Sequence, residues 1–596
     1  MKLLLLDRPR DVSILNGREV EFFGPWAQPI QLPVDLVAPK LEPYPTPESV
    51  YEAGMKAMNM AHNLLEQLGR IMPSLTGVNT GKRFWGILLG HHVISLTGII
   101  QDIITRHQAL PEKDYILGLP YDDNHIRENI PYSWSDAMEL IFFDDCFRWH
   151  AMGLYLKRYY GNYELIAYSN FPRKRIAESL NELITTTPQK YLKWLYKKVN
   201  STLLGSQRHK EPSTLPNNHS LIWDRYQLSN FDFTKLGATF LSEEFIPHVR
   251  SLPYFSVDTE KRKNIKNSLP QPYGELLSVS LPVMAVEGLS SLVNLIEANK
   301  RQRFEKIKNI YTHGQGFTDE EPKRALLALL ADHGKKIVSI QHGGGATYYA
   351  HSGIFLDKVI ADEYISWGPG YSDYNETADS NQTKFLPSIY LTHLKQNRQG
   401  NKKRKWDVLF VVLEEGRYIK WLYSPLFPDM AHDYFTREKV LFDYFCMEKA
   451  AVKVYPETYG WGQADWIRAK YPAAKLLIGG RFVDYALQSR IVIVDYNSTA
   501  FLEMLALGRP FLSTWNRRWF RGNNLFEKYI DNLIDLGVFY EQPEALVESY
   551  SKIISPDIEL WWNESKRQRV LKEMANNFAL TSENAYEEWK EEFRRN

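Results

Sequence analysis

The sequence predicts an α/β protein in which two Rossmann-like domains face a central cleft, together with a helix-rich N-terminal portion. Three observations carry this prediction. Strand-like and helix-like segments alternate from about residue 300 onwards, as in parallel doubly wound sheets. A basic run without apolar residues, 397–405, divides this region in two. The chain has 596 residues, more than one hydrophobic core usually supports. We therefore predict an N-terminal domain at 1–396, a linker at 397–405 and a C-terminal domain at 406–596.

Helical periodicity dominates the first 200 residues. Apolar side chains recur at helix spacing over 49–70, 84–106 and 137–160. The polar run 111–129 predicts a connector between helices. The apolar run within 1–7 is too short for a signal peptide, and no small-residue cleavage site follows it. We predict a short buried strand there.

One segment approaches the length of a membrane span: residues 84–100, FWGILLGHHVISLTGII. His91 and His92 stand at its centre, and three glycines interrupt it. Because ionisable side chains at the middle of a bilayer are costly, these residues favour a buried helix over a span.

The strands of the two predicted domains follow from β-branched, apolar runs. In the N-terminal domain they are predicted at 306–312, 336–340 and 362–367, with a helix at 320–333 that Gly334 ends. In the C-terminal domain they are predicted at 406–412, 450–455, 475–478 and 490–495. The basic, proline-containing run 261–273 predicts an exposed loop.

Charge and cysteine content exclude several classes of protein. Lys plus Arg total 72 and Asp plus Glu total 71, a formal charge of +1, whereas nucleic-acid binders usually carry a basic excess. We therefore expect no nucleic-acid partner. The two cysteines, Cys146 and Cys446, are far apart, which argues against a disulfide framework or a cysteine zinc site and fits a reducing cytoplasm.

The sharpest local signal is the run 492–510, in which a buried strand ends at Asp495 and a helix follows. Ser498 and Thr499 stand at the predicted start of that helix, where backbone N–H groups and the helix dipole suit a phosphate. Glu503 lies about one turn further along a similar face, within reach of a ribose or a base. A plain capped helix is the alternative reading of this run.

Two more strand ends carry polar side chains. Lys453 and Glu457 flank the end of one strand, and the turn Gln341–His342–Gly343 with its following glycines ends another. Glycines let a ligand approach the backbone closely. The predicted nucleotide-binding residues are Gln341, Gly343, Lys453, Tyr455, Glu457, Asn497, Ser498, Thr499 and Glu503.

Group transfer to a hydroxyl needs a base, and a carboxylate or histidine near the cleft would supply it. The candidates are His342, His313, Asp362 and Glu363, which all lie at predicted strand ends. No Asp-x-Asp element with a metal context is present, so we predict no metal site, and no cofactor beyond the co-substrate.

A family resemblance rests on pieces spread along almost the whole chain. They are 79–90 (NTGKRFWGILLG), 341–343 (QHG) with 360–368 (IADEYISWG), and 495–503 (DYNSTAFLE). With these pieces the chain resembles a family of large predicted transferases encoded in bacterial surface-polysaccharide loci. It is more distantly similar to capsule transferases that move 3-deoxy-manno-octulosonate (Kdo) or related 2-keto-sugar acids from a CMP donor.

The resemblance implies a GT-B type glycosyltransferase. Its donor would be a CMP-activated nonulosonic acid, such as pseudaminic acid, or Kdo, and its acceptor an oligosaccharide or lipid-linked glycan. It implies a cytoplasmic protein, with peripheral attachment to the inner face of the bacterial membrane left open, and it favours retention of the anomeric configuration. Three alternatives remain: a glycerophosphate-type transferase with a CDP donor, a non-catalytic glycan-binding assembly protein, and a nucleotide-sugar epimerase.

Overall fold

The computed structural model describes residues 1–9, 12–28, 35–119, 130–143, 145–165, 220–224, 236–241, 246, 252–300, 304–314, 321–344, 360–370, 383–396, 404–413, 416–419, 422, 428–446, 450–455, 461–554 and 557–595. Fifteen strands within these residues form three sheets, and all of their pairings are parallel. Because parallel strands need crossover helices that cover the sheet, the predicted α/β class is confirmed.

The first sheet has the order β2–β1–β3–β4, the second β10–β9–β8–β7–β5–β6, and the third β13–β12–β11–β14–β15. The strands are β1 (Lys2–Leu5), β2 (Val20–Phe22), β3 (Tyr115–Leu119), β4 (Tyr163–Leu165), β5 (Ser220–Ile222), β6 (Thr239–Phe240), β7 (Asn309–Thr312), β8 (Lys336–Ile340), β9 (Glu363–Ser366), β10 (Thr383–Phe385), β11 (Trp406–Val411), β12 (Ala450–Lys453), β13 (Lys475–Leu477), β14 (Ser489–Val494) and β15 (Phe511–Ser513).

Nineteen α-helices lie within the same residues. They are α1 (Pro47–Thr76), α2 (Lys82–Ala109), α3 (Trp134–Phe143), α4 (Asp145–Leu156), α5 (Thr259–Ser268), α6 (Tyr273–Ser280), α7 (Val283–Val286), α8 (Leu289–Lys300), α9 (Lys323–Asp332), α10 (Ile389–Gln396), α11 (Ala431–Phe445), α12 (Gln463–Lys470), α13 (Phe482–Ala486), α14 (Thr499–Leu507), α15 (Asn524–Asp535), α16 (Pro543–Ile554), α17 (Ile558–Trp562), α18 (Ser565–Phe578) and α19 (Ala585–Arg594).

The second and third sheets are the two Rossmann-like units that the sequence predicts. All seven predicted strands are present, five of them to within one residue of the predicted ranges, while β7 begins three residues later and β12 ends two residues earlier than predicted. The predicted helix at 320–333 is α9. Gly334 follows that helix with φ +79°, a backbone conformation that glycine adopts without steric cost.

The first sheet is a finding of the structure, since only β1 was predicted. β3 lies inside the run 111–129, which we predicted to be a connector because it is rich in polar residues. β2 and β4 have three residues each, too few for an alternating pattern to stand out. The predicted N-terminal domain at 1–396 therefore contains two parallel sheets, where one was expected.

Two further predictions were wrong in detail. The predicted loop at 261–273 is largely helix α5, which Asp258 caps by accepting the N–H groups of Glu260 and Lys261 at 3.0 and 3.1 Å. This helix buries Arg262, whose guanidinium binds both carboxylate oxygens of Glu287 at 2.8 and 2.6 Å. Because the buried face of α5 includes a charged arginine, the sequence lacks the stripe of apolar residues from which a helix is predicted. The predicted helix at 137–160 is two helices, α3 and α4.

Helix α2 contains the segment that approaches the length of a membrane span. Among the described residues α2 is the one helix long and apolar enough to cross a bilayer, and 94% of its most apolar stretch is buried inside the protein. Burial, with a smaller effect of Arg324, lowers the pKa of His91 and of His92 to about 3, so both are neutral. Packing against protein therefore explains the apolar composition of α2, as predicted.

The last helix joins the second sheet. The indole Nε1 of Trp589 donates to the carbonyl of Pro387 at 2.8 Å, and Ser220 Oγ on β5 donates to the carbonyl of Phe593 at 2.7 Å. Glu592 pairs with Lys384 of β10 at 2.9 Å. Helix α19, which belongs to the segment 406–596, therefore packs on the second sheet.

A buried ion network joins the N-terminal helices to the third-sheet unit. Arg106, at the end of α2, is fully buried and binds Asp102 at 2.9 Å and Asp429 at 2.5 Å. The hydroxyl of Tyr44 donates to Asp102 at 2.8 Å. The guanidinium also lies over the ring of Trp26, 4.6 Å from its centroid. One cation thus holds two buried carboxylates, from different parts of the chain, in place.

Replacing this cation should destabilise the fold. Arg106→Met keeps much of the side-chain volume but leaves Asp102 and Asp429 buried without their counter-ion, which costs about 3–5 kcal/mol. We expect a clearly lower urea midpoint of unfolding, followed by circular dichroism. The matched control is Arg569→Met, at an exposed position of α18. Equal midpoints for the two variants would show that the network contributes nothing.

Candidate active site

The carboxyl edges of the second and third sheets meet at one contact. The backbone N–H of Gly344, in the turn after β8, donates to Oγ1 of Thr499, the first residue of α14, at 3.0 Å. A Cβ on Gly343 would lie 2.9 Å from the same oxygen, so glycine is needed for this close approach. Parallel sheets bind ligands at their carboxyl edges, and here two such edges face each other. The predicted glycine turn and helix start are therefore brought together.

The second sheet places a histidine and a carboxylate at its topological switch point. The chain runs outward from β5 to β6 on one side and from β7 through β10 on the other, so the crevice lies between β5 and β7. Asp224 follows β5 and His313 follows β7. Nδ1 of His313 lies 2.8 Å from Oδ1 of Asp224, and both residues are buried.

Asp224 is held as a carboxylate. Burial by itself would raise its pKa, but hydrogen bonds from the His313 ring, from the Thr312 hydroxyl at 2.6 Å and from the His313 backbone N–H at 3.0 Å hold that pKa below its ordinary value. An ionised Asp224 fixes the Nδ1–H tautomer of His313 and leaves Nε2 as the basic nitrogen.

His342 lies beside this pair, in the turn after β8. Burial, with a smaller contribution from the charge of His313, lowers the pKa of His342 to about 4. The ring is therefore neutral near pH 7, with one nitrogen that donates and one that accepts. The structure thus gathers two of the four predicted catalytic residues, His313 and His342, at one edge.

The other two, Asp362 and Glu363, lie at the opposite edge of the same sheet. Asp362 precedes β9, accepts the N–H of Ile337 near the start of β8 at 2.7 Å, and pairs with Arg83. Glu363 pairs with Lys336 and Lys384. Since both carboxylates stand where strands begin, the structure does not bring them to the two histidines.

Helix α14 begins as predicted. Ser498 is its N-cap, and Oγ accepts the N–H of Ala500 at 3.2 Å. Both Ser498 and Thr499 are partly exposed, and this helix start stands beside the β11–β14 switch point of the third sheet. Such a terminus presents partial positive charge to a phosphate.

Three predicted nucleotide-binding side chains are buried and bonded within the protein. Gln341 Oε1 accepts the N–H of Trp367 at 2.6 Å, while its Nε2 donates to the carbonyl of Gly343 at 2.8 Å and thereby shapes the glycine turn. Asn497 Nδ2 donates to the carbonyl of Phe520 at 3.0 Å. Glu503 accepts the hydroxyl of Tyr390 at 2.5 Å, and burial raises its pKa to about 7. In this structure all three side chains therefore form hydrogen bonds that hold neighbouring segments of the protein together.

The remaining predicted residues stand at the end of β12. Lys453 is partly buried, donates from Nζ to the carbonyl of Val454 at 2.7 Å, and has its pKa lowered by burial. Tyr455 is exposed. Glu457 lies outside the described residues, as do the glycine at 345 and the residues that follow it to 359.

The third sheet contains a buried pair of carboxyl groups that sequence reasoning did not single out as a site. Asp495 directly follows β14 and interacts with Glu438 of α11. The Tyr434 hydroxyl donates to Asp495 at 3.0 Å, and Gln463 Nε2 donates to Glu438 at 2.6 Å. Burial raises the pKa of both carboxyls; the charge of Asp495 raises that of Glu438 further, whereas the hydrogen bond from Glu438 lowers that of Asp495. Asp224 was missed as well, because β5 is only three residues long.

Within the part of the chain that the structure describes, no group of three or more His, Cys, Asp or Glu side chains could hold a metal ion. Metal independence remains a prediction.

Similar folds occur among solved structures, at low similarity. Anabaena Alr3699/HepE, in complex with UDP and glucose, is 12% identical, with a TM-score of 0.34 over 63% of this chain and 98% of its own. The UDP-GlcNAc 2-epimerase of Neisseria meningitidis is 13% identical, with a TM-score of 0.33 over 63% and 99%. The wall teichoic acid polymerase TagF is 8% identical, with a TM-score of 0.31 over 68% and 98%.

Sequence comparison gives the family. No curated protein matches the chain significantly. The model of the LIC12162 family transferases matches residues 4–593, nearly the full sequence, which agrees with the predicted-transferase resemblance and does not extend to the Kdo transferases. The chain belongs to the LIC12162 family of transferases.

Proposed function

We propose that this transferase moves a sugar from a nucleotide-sugar donor to a hydroxyl of a glycan acceptor. The observation that carries the proposal is the Asp224–His313 pair, which lies at the carboxyl edge that meets the first turn of α14. A base for the acceptor and a phosphate site for the leaving group are the two groups that glycosyl transfer requires.

His313 acts as the base in this proposal. Its Nδ1–H donates to Asp224, so Nε2 takes the proton of the acceptor hydroxyl. The hydroxyl oxygen attacks the anomeric carbon, and the bond from that carbon to the phosphate oxygen breaks with its electron pair leaving on the nucleotide. Asp224 stabilises the imidazolium that forms. The neutral ring of His342 stands beside His313, where its N–H can form a hydrogen bond with the nucleotide sugar.

The first turn of α14 receives the departing phosphate. Ser498 and Thr499 bring hydroxyls to a helix terminus with partial positive charge, and Gly343 lets the backbone of the opposite edge approach. Lys453 at the end of β12 adds a cation at the same edge of the third sheet. Groups fixed in advance in this way stabilise charge that develops in the transition state.

The donor that we propose is a CMP-activated 2-keto-sugar acid, a nonulosonic acid or Kdo, and the acceptor is a bacterial surface glycan, free or lipid-linked. The support is the resemblance of the motifs at 341–343 and 495–503. Transfer would need no metal or other cofactor. A lipid-linked acceptor would place the protein in the cytoplasm, at the inner face of the membrane.

Removing either member of the dyad should abolish transfer. His313→Ala and Asp224→Asn should each lower the rate by about 10²–10⁴-fold, and by similar factors, since the two side chains act as one unit. The rate is measured as nucleotide release, with water as acceptor while the natural one is unidentified, and with or without EDTA, which should make no difference. His333→Ala, at the exposed end of α9, is the control. Full activity of either dyad variant contradicts the assignment of the base.

Nucleotide binding should depend on the contact between the two edges. A thermal-shift screen with CMP, CDP, UDP, GDP and UMP should show stabilisation by CMP, because a ligand of the folded state raises its stability. Thr499→Val and Gly343→Ala should reduce that shift. Thr259→Val, at the exposed first residue of α5, is the matched control. A shift by UDP or GDP alone would rule out the CMP donor while keeping the transferase.

The stereochemistry of the product tests the base mechanism. A base that activates the acceptor for a single displacement inverts the anomeric carbon, as in other one-step glycosyl reactions. We therefore expect inversion, in contrast to the retention that the resemblance implies. The anomeric configuration follows from the NMR spectrum of the product. Retention would exclude a single displacement, and a phosphodiester product would favour the glycerophosphate-type transferase.

A further inference from the structure

A groove runs between the N-terminal chain and the carboxyl edge of the third sheet. The segment 38–44, which leads from the first sheet to α1, forms one wall. Residues from the start of α11 and from the loop after β15 form the other. The groove has a volume of about 190 Å³, enough for one sugar ring.

The walls of this groove are fixed by bonds behind them. The Tyr44 hydroxyl is bonded to Asp102, and both carboxylate oxygens of Asp429 receive the guanidinium of Arg106. On the far side, Asn516 Nδ2 donates to Asp433 Oδ2 at 3.0 Å. Little conformational entropy is lost when a ligand enters a site whose walls are already ordered.

The lining combines an aromatic ring and other apolar groups with polar ends. Trp519, Leu41 and Pro43 supply apolar surface, while Asp433 and Arg518 supply an acceptor and a donor of hydrogen bonds. Pyranose rings present C–H groups on their faces and hydroxyls around their edges, and both parts would be satisfied here. We propose that this groove binds a sugar residue of the acceptor glycan.

Charge favours a neutral sugar over a nucleotide. The carboxylates of Glu42, Asp433 and Asp429 line the groove; Arg106 pairs with Asp429 from behind, and the guanidinium of Arg518 is the fixed positive charge among the lining residues. A phosphate or diphosphate would meet like charge from the carboxylates of Glu42 and Asp433, whereas hydroxyl groups donate to them. The donor's phosphate is thus directed away from this groove, to the start of α14.

A second, much smaller cavity adjoins the groove. Asp433, Asn516 and Trp519 line both, and Asp495, directly after β14, lines the smaller one. Asp495 stands only three residues before Ser498, the N-cap of α14. The inference rests on the proposed function, because an acceptor site has meaning only beside a donor site.

Ligand-observed NMR on the full chain tests the proposal. Methyl glycosides of glucose, galactose, mannose and N-acetylglucosamine serve as probes, and saturation transfer reports their binding. At least one should bind the wild-type protein, and Trp519→Leu and Asp433→Asn should each weaken that binding about fivefold, the range expected for a lost aromatic or hydrogen-bonding contact. Trp561→Leu and Arg569→Gln, on α17 and α18, are matched controls and should bind as the wild type does.

The same variants separate this proposal from the proposed function. The thermal stabilisation by nucleotides should be unchanged in Trp519→Leu and Asp433→Asn, and glycoside binding should be unchanged in Thr499→Val. Loss of nucleotide binding in the groove variants, or no glycoside signal with the wild type, overturns the acceptor site. If glycosides bind in the groove but no nucleotide binds anywhere, the groove stands and the proposed donor chemistry fails. Unfolded variants are identified by circular dichroism, and Arg518→Gln, at an exposed position, then replaces them.

Discussion

The meeting of carboxyl edges is the constraint on which the site depends. In a parallel sheet all strands end at the same edge, and the turns that bind ligands follow the strands there. Here the second and third sheets present these edges to each other, so that Gly344 can donate to Thr499. The first sheet joins them, because Asp7, just after β1, pairs with Arg417 in the loop after β11. Turns at the carboxyl ends of strands in the first and second sheets therefore both contact turns of the third-sheet unit.

This arrangement needs rigid connections away from the cleft. Helix α2 lies buried in the core that the first two sheets share, and Arg106 at its end holds Asp429 of the third-sheet unit. Helix α19 returns to cover the second sheet. Because these contacts combine apolar burial with a paired buried cation, they hold the units together at positions away from the facing carboxyl edges.

The site was predictable where one stretch of sequence contains both a recognisable strand and the polar or glycine residues that follow it. Ser498 and Thr499 follow a long apolar strand, and the glycines after β8 follow another, so both signals stood out. Asp224 did not, because β5 has three residues and its partner His313 comes 89 positions later. Asp362 and Glu363 were predicted near the histidines, although strand direction was enough to place them elsewhere, since residues where a strand begins lie at the amino edge of the sheet. Gln341, Asn497 and Glu503 suited a ligand by residue type, yet their hydrogen bonds are made within the protein.

By itself the sequence determined the α/β class, most strands of the second and third sheets, the buried state of α2 and the transferase family, because periodicity and local motifs are properties of neighbouring residues. Only the tertiary structure decided that the first sheet exists, that α19 packs on the second sheet, and that Asp224 orients His313. These facts depend on pairings between residues far apart in the chain. No local pattern specifies which distant strand or side chain becomes a neighbour, since packing of the whole core selects it.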